Sequence, residues 1–75
     1  MMEMMDLFEI KRNPNVGQFE VKKGINGDWN IYFYIDTEKH IVKTKRGVVR
    51  NFKTLDNVAI FVEKCGKCSD FRVFI

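Results

Sequence analysis

Residues 29–36 alternate between apolar and polar side chains, and this period-two pattern constrains the fold more than any other feature of the sequence. One face of the segment would carry Trp29, Ile31, Phe33 and Ile35, and the other Asn30, Tyr32, Tyr34 and Asp36. Such alternation predicts a β-strand with one buried face. Residues 19–23 alternate in the same way, and Asn26-Gly27 favours a tight turn between the two strands because both residues tolerate positive φ.

Further strands and one helix are predicted around this hairpin. Residues 7–11 indicate a strand before it, residues 40–44 and 48–52 two strands after it, and residues 71–75 a closing strand. Residues 54–65 have the period of an amphipathic helix, whose buried stripe would contain Leu55, Val58, Ala59 and Val62, with Phe61 at its edge. Thr54 is a good N-cap, and Gly66 occupies the position of a left-handed C-cap.

These elements predict one α+β domain over residues 1–75, in which residues 1–5 fray. We expect about four or five antiparallel strands, in the order β-β-β-β-α-β, with the single helix packed on one face of the sheet. Because one helix covers one face only, the opposite face would expose an aromatic patch formed by Tyr32, Tyr34 and Phe74. Such patches often mark interaction sites, although tyrosines also fill the solvated faces of sheets. Ile60, which lies off the buried helical stripe, is a further candidate contact.

The short length favours a partner. A domain of 75 residues buries little apolar surface, and such domains commonly rely on disulfides, a metal or self-association. Two cysteines are too few for a secreted disulfide scaffold. Since the sequence also lacks a recognisable secretory leader and a run long enough to span a membrane, we expect a cytoplasmic protein without membrane contact, stabilised as a homodimer.

The residues available for catalysis are few. His40 and Ser69 are the single histidine and the single serine, and no spacing links them to a carboxylate. We therefore expect a solvated strand histidine and no enzyme activity. Cys65-Gly66-Lys67-Cys68 supplies half of the ligands of a zinc site, and it follows the predicted helix, where the dipole disfavours a thiolate. No cofactor is expected, and a zinc or redox role for Cys65 and Cys68 is the least favoured alternative.

Residues 39–53 carry six basic residues and no acidic one. Lys43, Lys45, Arg46 and Arg50 would contact phosphates if this basic hairpin bound nucleic acid, and Tyr32 and Tyr34 would add a stacking platform if the sheet face took part. The opposing interpretation is a solvated hairpin whose lysines protect a sheet edge, in keeping with a net charge of only +3. The acidic residues between Glu3 and Glu9 would also suit the basic hairpin of a second copy.

Residues 45–75 resemble one group of bacterial proteins. A basic turn at Lys45-Arg46-Gly47 precedes a strand ending at Phe52, and Thr54-Leu55-Asp56, an alanine-containing helix and a short strand at residues 71–73 follow. This pattern is similar to that of small accessory proteins encoded beside plasmid partition and stability genes. The resemblance implies a non-enzymatic accessory role in a plasmid or other mobile element.

The preferred hypothesis is a small non-enzymatic binding module that acts through protein–protein contacts, with itself or with another protein. Its predicted contacts are Tyr32, Tyr34, Ile60 and Phe74. Nucleic-acid binding by the basic hairpin is the first alternative.

Overall fold

The computed structural model describes residues 3–66 and 71–74. These residues form an α+β fold in which a five-stranded sheet packs against two helices. The elements in chain order are β1 (Glu3–Met5), α1 (Leu7–Arg12), β2 (Val16–Lys23), β3 (Trp29–Ile35), β4 (Glu38–Val42), α2 (Leu55–Cys65) and β5 (Phe71–Phe74). The predicted fold class is confirmed, and the described elements follow the order β-α-β-β-β-α-β instead of β-β-β-β-α-β.

The sheet is mixed, so the prediction of a purely antiparallel sheet is wrong. Its strand order is β1-β4-β3-β2-β5, with β3 antiparallel to both of its neighbours. The two edge strands pair in parallel, β1 with β4 and β5 with β2. Crossovers that contain a helix connect β1 to β2 and β4 to β5, so the strands of each connected pair run in the same direction. Because β2 and β4 are both antiparallel to β3, each edge strand is then parallel to its neighbour.

Both crossovers lie on one face of the sheet. They join parallel strands and run in the same direction across the strand order, so a common handedness places α1 and α2 on the same side. Accordingly, Ile10 of α1 and Val58 of α2 belong to one core cluster with Ile31 and Phe33 of β3. No helix among residues 3–66 and 71–74 covers the opposite face.

The N-terminal segment differs from the prediction. Residues 7–11, predicted as a strand, belong to the helix α1, which begins with a capping box: Glu9 N donates to Asp6 Oδ1 over 3.0 Å, and Asp6 N donates to Glu9 Oε1 over 3.3 Å. Residues 3–5, expected to fray, form β1 beside β4. Residues 1 and 2 lie outside the described part of the chain.

Residues 48–52 form no continuous strand, contrary to the prediction. Two isolated bridges link this segment to the sheet, Lys43 with Val49 and Trp29 with Phe52. In the second bridge, Trp29 N donates to Phe52 O over 2.7 Å and Phe52 N donates to Trp29 O over 2.8 Å. The segment therefore runs from the turn at Gly47 to the start of β3, where Phe52 is hydrogen-bonded three residues before α2 begins.

The helix α2 confirms its predicted position and caps. Thr54 Oγ1 accepts a hydrogen bond from Asn57 N over 3.1 Å, and Gly66 adopts a φ of 67°. Its buried residues are Val58, Phe61, Val62 and Cys65. Leu55 and Ala59, both predicted to lie in the buried stripe, are exposed, Leu55 to 38%. The buried stripe therefore begins one turn later than predicted and contains Phe61 instead of Ala59.

His40 is buried, with 3% of its surface exposed, so the prediction of a solvated histidine is wrong. The register places it opposite Phe33, and paired residues share a face of the sheet. Its ring stacks on Phe33 with centroids 5.4 Å apart, and its Nε2 lies 3.8 Å from Glu38 Oε2.

Candidate binding surfaces

The face of the sheet turned away from the helices is the first candidate surface. Successive residues of a strand point to opposite faces, so the residues that alternate with the buried Phe19, Ile31 and Phe33 lie here. We call this surface the open sheet face. Its members are Met4, Glu20, Lys22, Tyr32, Tyr34, Lys39, Ile41, Arg72 and Phe74, with Asn30 at its end near the β2–β3 turn. Ile41 is buried there, at 8% exposure.

Tyr32 lies at the centre of the open sheet face, and two neighbouring ammonium groups lie over its ring. Lys39 Nζ is 4.8 Å and Lys22 Nζ is 5.6 Å from the ring centroid. Lys22 Nζ also lies 5.5 Å from the ring of Phe74. Cations over aromatic faces are attracted by the ring quadrupole, so the surface combines aromatic rings with positive charge.

The positive charges of the open sheet face are close enough to affect one another. Lys39 lowers the pKa of Lys22 below its ordinary value of 10.5, through side-chain hydrogen bonding first and charge repulsion second, while Glu20 and Tyr32 oppose the shift. Glu20 Oε1 forms an ion pair with Lys39 Nζ at 3.7 Å. The face carries one described carboxylate, Glu20, and three cations, Lys22, Lys39 and Arg72, so its described residues have an excess of positive charge.

Side-chain amides border the open sheet face near the β2–β3 turn. Asn30 Nδ2 donates to Asn51 Oδ1 over 2.8 Å and to Arg50 O over 3.3 Å. Asn30 and Asn51 line a shallow hollow together with Lys22 and Tyr32. Groups that donate and accept hydrogen bonds therefore lie next to the aromatic centre of the surface.

A basic groove between α2 and residues 50–53 is the second candidate surface. Its volume is about 310 Å³. Apolar side chains of Leu7, Ile60 and Phe61 line it, together with the cationic side chains of Arg50, Lys53 and Lys64. The lining has no acidic residue among those described, and Asn51, Phe52 and Asn57 complete it.

The structure separates the predicted interface residues. Tyr32, Tyr34 and Phe74 share the open sheet face, where Phe74 is 41% exposed. Ile60 is 51% exposed on α2 and lines the basic groove instead. These four residues therefore belong to two surfaces. Sequence reasoning missed Lys53 and Lys64 as members of the groove. The available signal was their position, since Lys64 lies one turn after Ile60 on α2 and Lys53 lies just before this helix.

The four cationic residues predicted to bind nucleic acid do not form one surface. Lys43 Nζ lies 3.6 Å from Glu9 Oε1, and Lys45 Nζ lies 4.5 Å from the ring of Phe8. Arg46 is exposed at the turn, while the Arg50 guanidinium stacks at 5.2 Å on both Phe52 and Phe61. The acidic segment expected to suit a second copy thus contacts the basic hairpin of its own chain through Glu9.

The cysteine pair is only partly described. Cys65 is buried in the core, and Cys68 lies outside the described residues. Within residues 3–66 and 71–74, no group of three or more His, Cys, Asp or Glu side chains is placed to hold a metal ion. In the same part of the chain, neither helix has the length and apolar character needed to cross a membrane.

Comparisons with protein-family models, with curated proteins and with solved structures find no match to this chain. The resemblance of residues 45–75 to plasmid accessory proteins therefore stays a prediction.

Proposed function

We propose that the protein is a small non-enzymatic binding module whose open sheet face binds single-stranded nucleic acid. The observation that carries the proposal is the ring of Tyr32, which lies beside two neighbouring ammonium groups on a sheet face without a covering helix among the described residues. Aromatic rings on which bases stack and cations that contact the backbone are the two components that single-strand binding combines. Tyr32 and Tyr34 are half-buried and Phe74 is exposed.

Each component has a separate role. A base of any identity stacks on an aromatic ring, and this stacking tolerates sequence variation because every base has a π-face. The lysine ammonium groups that now lie near the Tyr32 ring would move onto phosphates when a base takes their place. Neutralised phosphates release counterions, so the affinity would fall as salt rises.

The charge on the open sheet face favours an anionic partner over a second copy. A face-to-face pair would bring Lys22, Lys39 and Arg72 of two copies together, and among the described members of the face Glu20 is the one acidic residue that offsets them. Like charges directly opposed across an interface weaken association. We therefore favour nucleic acid as the partner of this face over protein–protein contact, which the sequence analysis had preferred. A role as an accessory factor of a plasmid or other mobile element is compatible with this activity and is part of the proposal.

The test is fluorescence anisotropy with a labelled thymidine oligonucleotide of about 12 nucleotides, compared with a duplex of equal length. We expect binding to the single strand that weakens between about 0.05 and 0.2 M salt. Tyr32→Ala should weaken it about tenfold, the loss of one stacked base. Lys22→Gln/Lys39→Gln should reduce the salt slope by about 1.4, since each phosphate contact on a single strand contributes about 0.7.

Lys11→Gln is the matched control, because Lys11 is exposed on α1 and belongs to neither surface. It makes the same charge change as either lysine substitution and should leave the affinity nearly unchanged. Absence of salt-dependent binding, or equal losses in Lys11→Gln and in the single variants Lys22→Gln and Lys39→Gln, would overturn the proposal.

A further inference from the structure

The basic groove is a second surface that nucleic-acid binding at the open sheet face leaves unexplained. It lies in the helix layer, between α2 and residues 50–53, and has a volume of about 310 Å³. A volume of this size accommodates a few side chains of a partner. Ile60 lines the groove, and half of its surface is exposed.

The groove has the charge of a site for an acidic ligand. Arg50, Lys53 and Lys64 line it, and the lining contains no described acidic residue. The guanidinium of Arg50 lies 5.2 Å from the rings of both Phe52 and Phe61. This double contact positions the cation, so little of its freedom remains to be lost when a carboxylate binds to it.

The apolar part of the groove favours a peptide over nucleic acid. Phe52 and Phe61 are buried and Arg50 stacks on both, so neither ring offers an open face for a base. Ile60 and Leu7 offer aliphatic surface instead, which suits an aliphatic side chain. A floor of apolar side chains with a charged rim is the usual arrangement of grooves that take amphipathic peptides.

We propose that the basic groove binds an acidic, amphipathic peptide segment of a partner protein. An aliphatic side chain of the segment packs on Ile60 and Leu7, and its carboxylates pair with Arg50, Lys53 and Lys64. The protein would then connect two partners, a nucleic acid on the open sheet face and a protein at α2. This inference rests on residues outside the open sheet face, so it stands or falls independently of the proposed function.

The probe is a labelled synthetic peptide of about 12 residues, composed of Asp and Glu with Leu at helical i, i+3, i+4 and i+7 spacing. We expect it to bind, and we expect Ile60→Ser and Lys53→Gln/Lys64→Gln each to weaken it about tenfold. Val48→Ser is the matched control for Ile60, since Val48 is an exposed aliphatic residue outside the groove, at 61%. Lys11→Gln/Lys45→Gln is the matched control for the lysine pair.

Two peptide variants separate packing from charge. A peptide with Ser in place of each Leu, and one with Lys in place of each acid, should both fail to bind. Equal binding of the probe by the Ile60→Ser variant and the wild-type chain would overturn the proposal. Displacement of the probe by the thymidine oligonucleotide, or its loss in Tyr32→Ala, would also overturn it while leaving the proposed function intact.

Discussion

At the scale of single residues, the core depends on a row of rings across the central strands. Phe33 lies between Phe19, with centroids 6.0 Å apart, and His40, with centroids 5.4 Å apart. The period-two pattern of residues 29–36 predicted the burial of Phe33. No such pattern predicted the burial of His40, because the register of the short strand β4 with β3 decides which of its residues face the core.

Replacing Phe33 by alanine should therefore be among the most destabilising changes in the chain. We expect the free energy of unfolding to fall by about 3–5 kcal/mol, since a fully buried ring is lost and a cavity remains. Tyr34→Ala, one residue along on the open sheet face, should cost less than about 1 kcal/mol. Urea denaturation of both variants measures the difference, and equal losses would contradict the assignment of faces.

The coupling of Lys22 and Lys39 gives a second test at this scale. Lys39 lowers the pKa of Lys22 from 10.5, so Lys39→Met should raise it. The freed carboxylate of Glu20 should add to the rise because a negative charge favours the ammonium form. A titration of the Lys22 side chain by NMR measures the change. A pKa of Lys22 that stays the same in Lys39→Met would show that the two ammonium groups do not interact.

At the scale of elements, both helices begin at a capping side chain, and they differ in how readily the sequence revealed them. The helix α2 has an N-cap, an amphipathic stripe and a glycine C-cap, and these local signals agree. The helix α1 has only six residues, too few to show a helical period, and its apolar residues also fit a strand. Its one local signal was the spacing of Asp6 and Glu9, the pattern of a capping box.

The C-terminus of α2 should depend on the backbone freedom of Gly66. Its φ is 67°, and an added Cβ would meet no atom of the described residues within 4 Å, so we expect the cost of a side chain to be conformational. Gly66→Ala should reduce the free energy of unfolding by about 1 kcal/mol. Gly66→Asn should cost less, because asparagine tolerates the left-handed region. Thermal unfolding of the two variants tests this, and the reverse order would contradict it.

At the scale of the whole molecule, the one-sided arrangement of the helices decides which surfaces can bind. Two crossovers of the same handedness place both helices over one face, and the other face keeps its tyrosines and lysines. The sequence had predicted one uncovered face because it predicted one helix. The face is open for a different reason, since the second helix lies beside the first.

The predicted homodimer can be tested by the salt dependence of self-association. A dimer formed through the open sheet face would oppose like charges, so its association should strengthen as salt screens them. Sedimentation velocity at about 0.05 and 0.5 M salt measures this dependence. Nucleic-acid binding should show the opposite trend in the same buffers. A dimer that weakens with salt would have to use another surface, across which opposite charges pair.

The β2–β3 hairpin, the helix α2 with its two caps and the inward faces of the two longest strands can all be read from the sequence. They depend on neighbours within about one to three helical turns or on a short loop, so their chemistry is readable along the chain. The predicted tight turn at Asn26-Gly27 is a five-residue loop, residues 24–28, in which Gly27 has a φ of 87°. Contacts between distant segments make residues 3–5 a strand, bury His40 and bring Ile60 to one groove with Lys53 and Lys64. A short segment becomes a strand when a distant edge supplies its hydrogen bonds, and a groove exists only where separate elements meet.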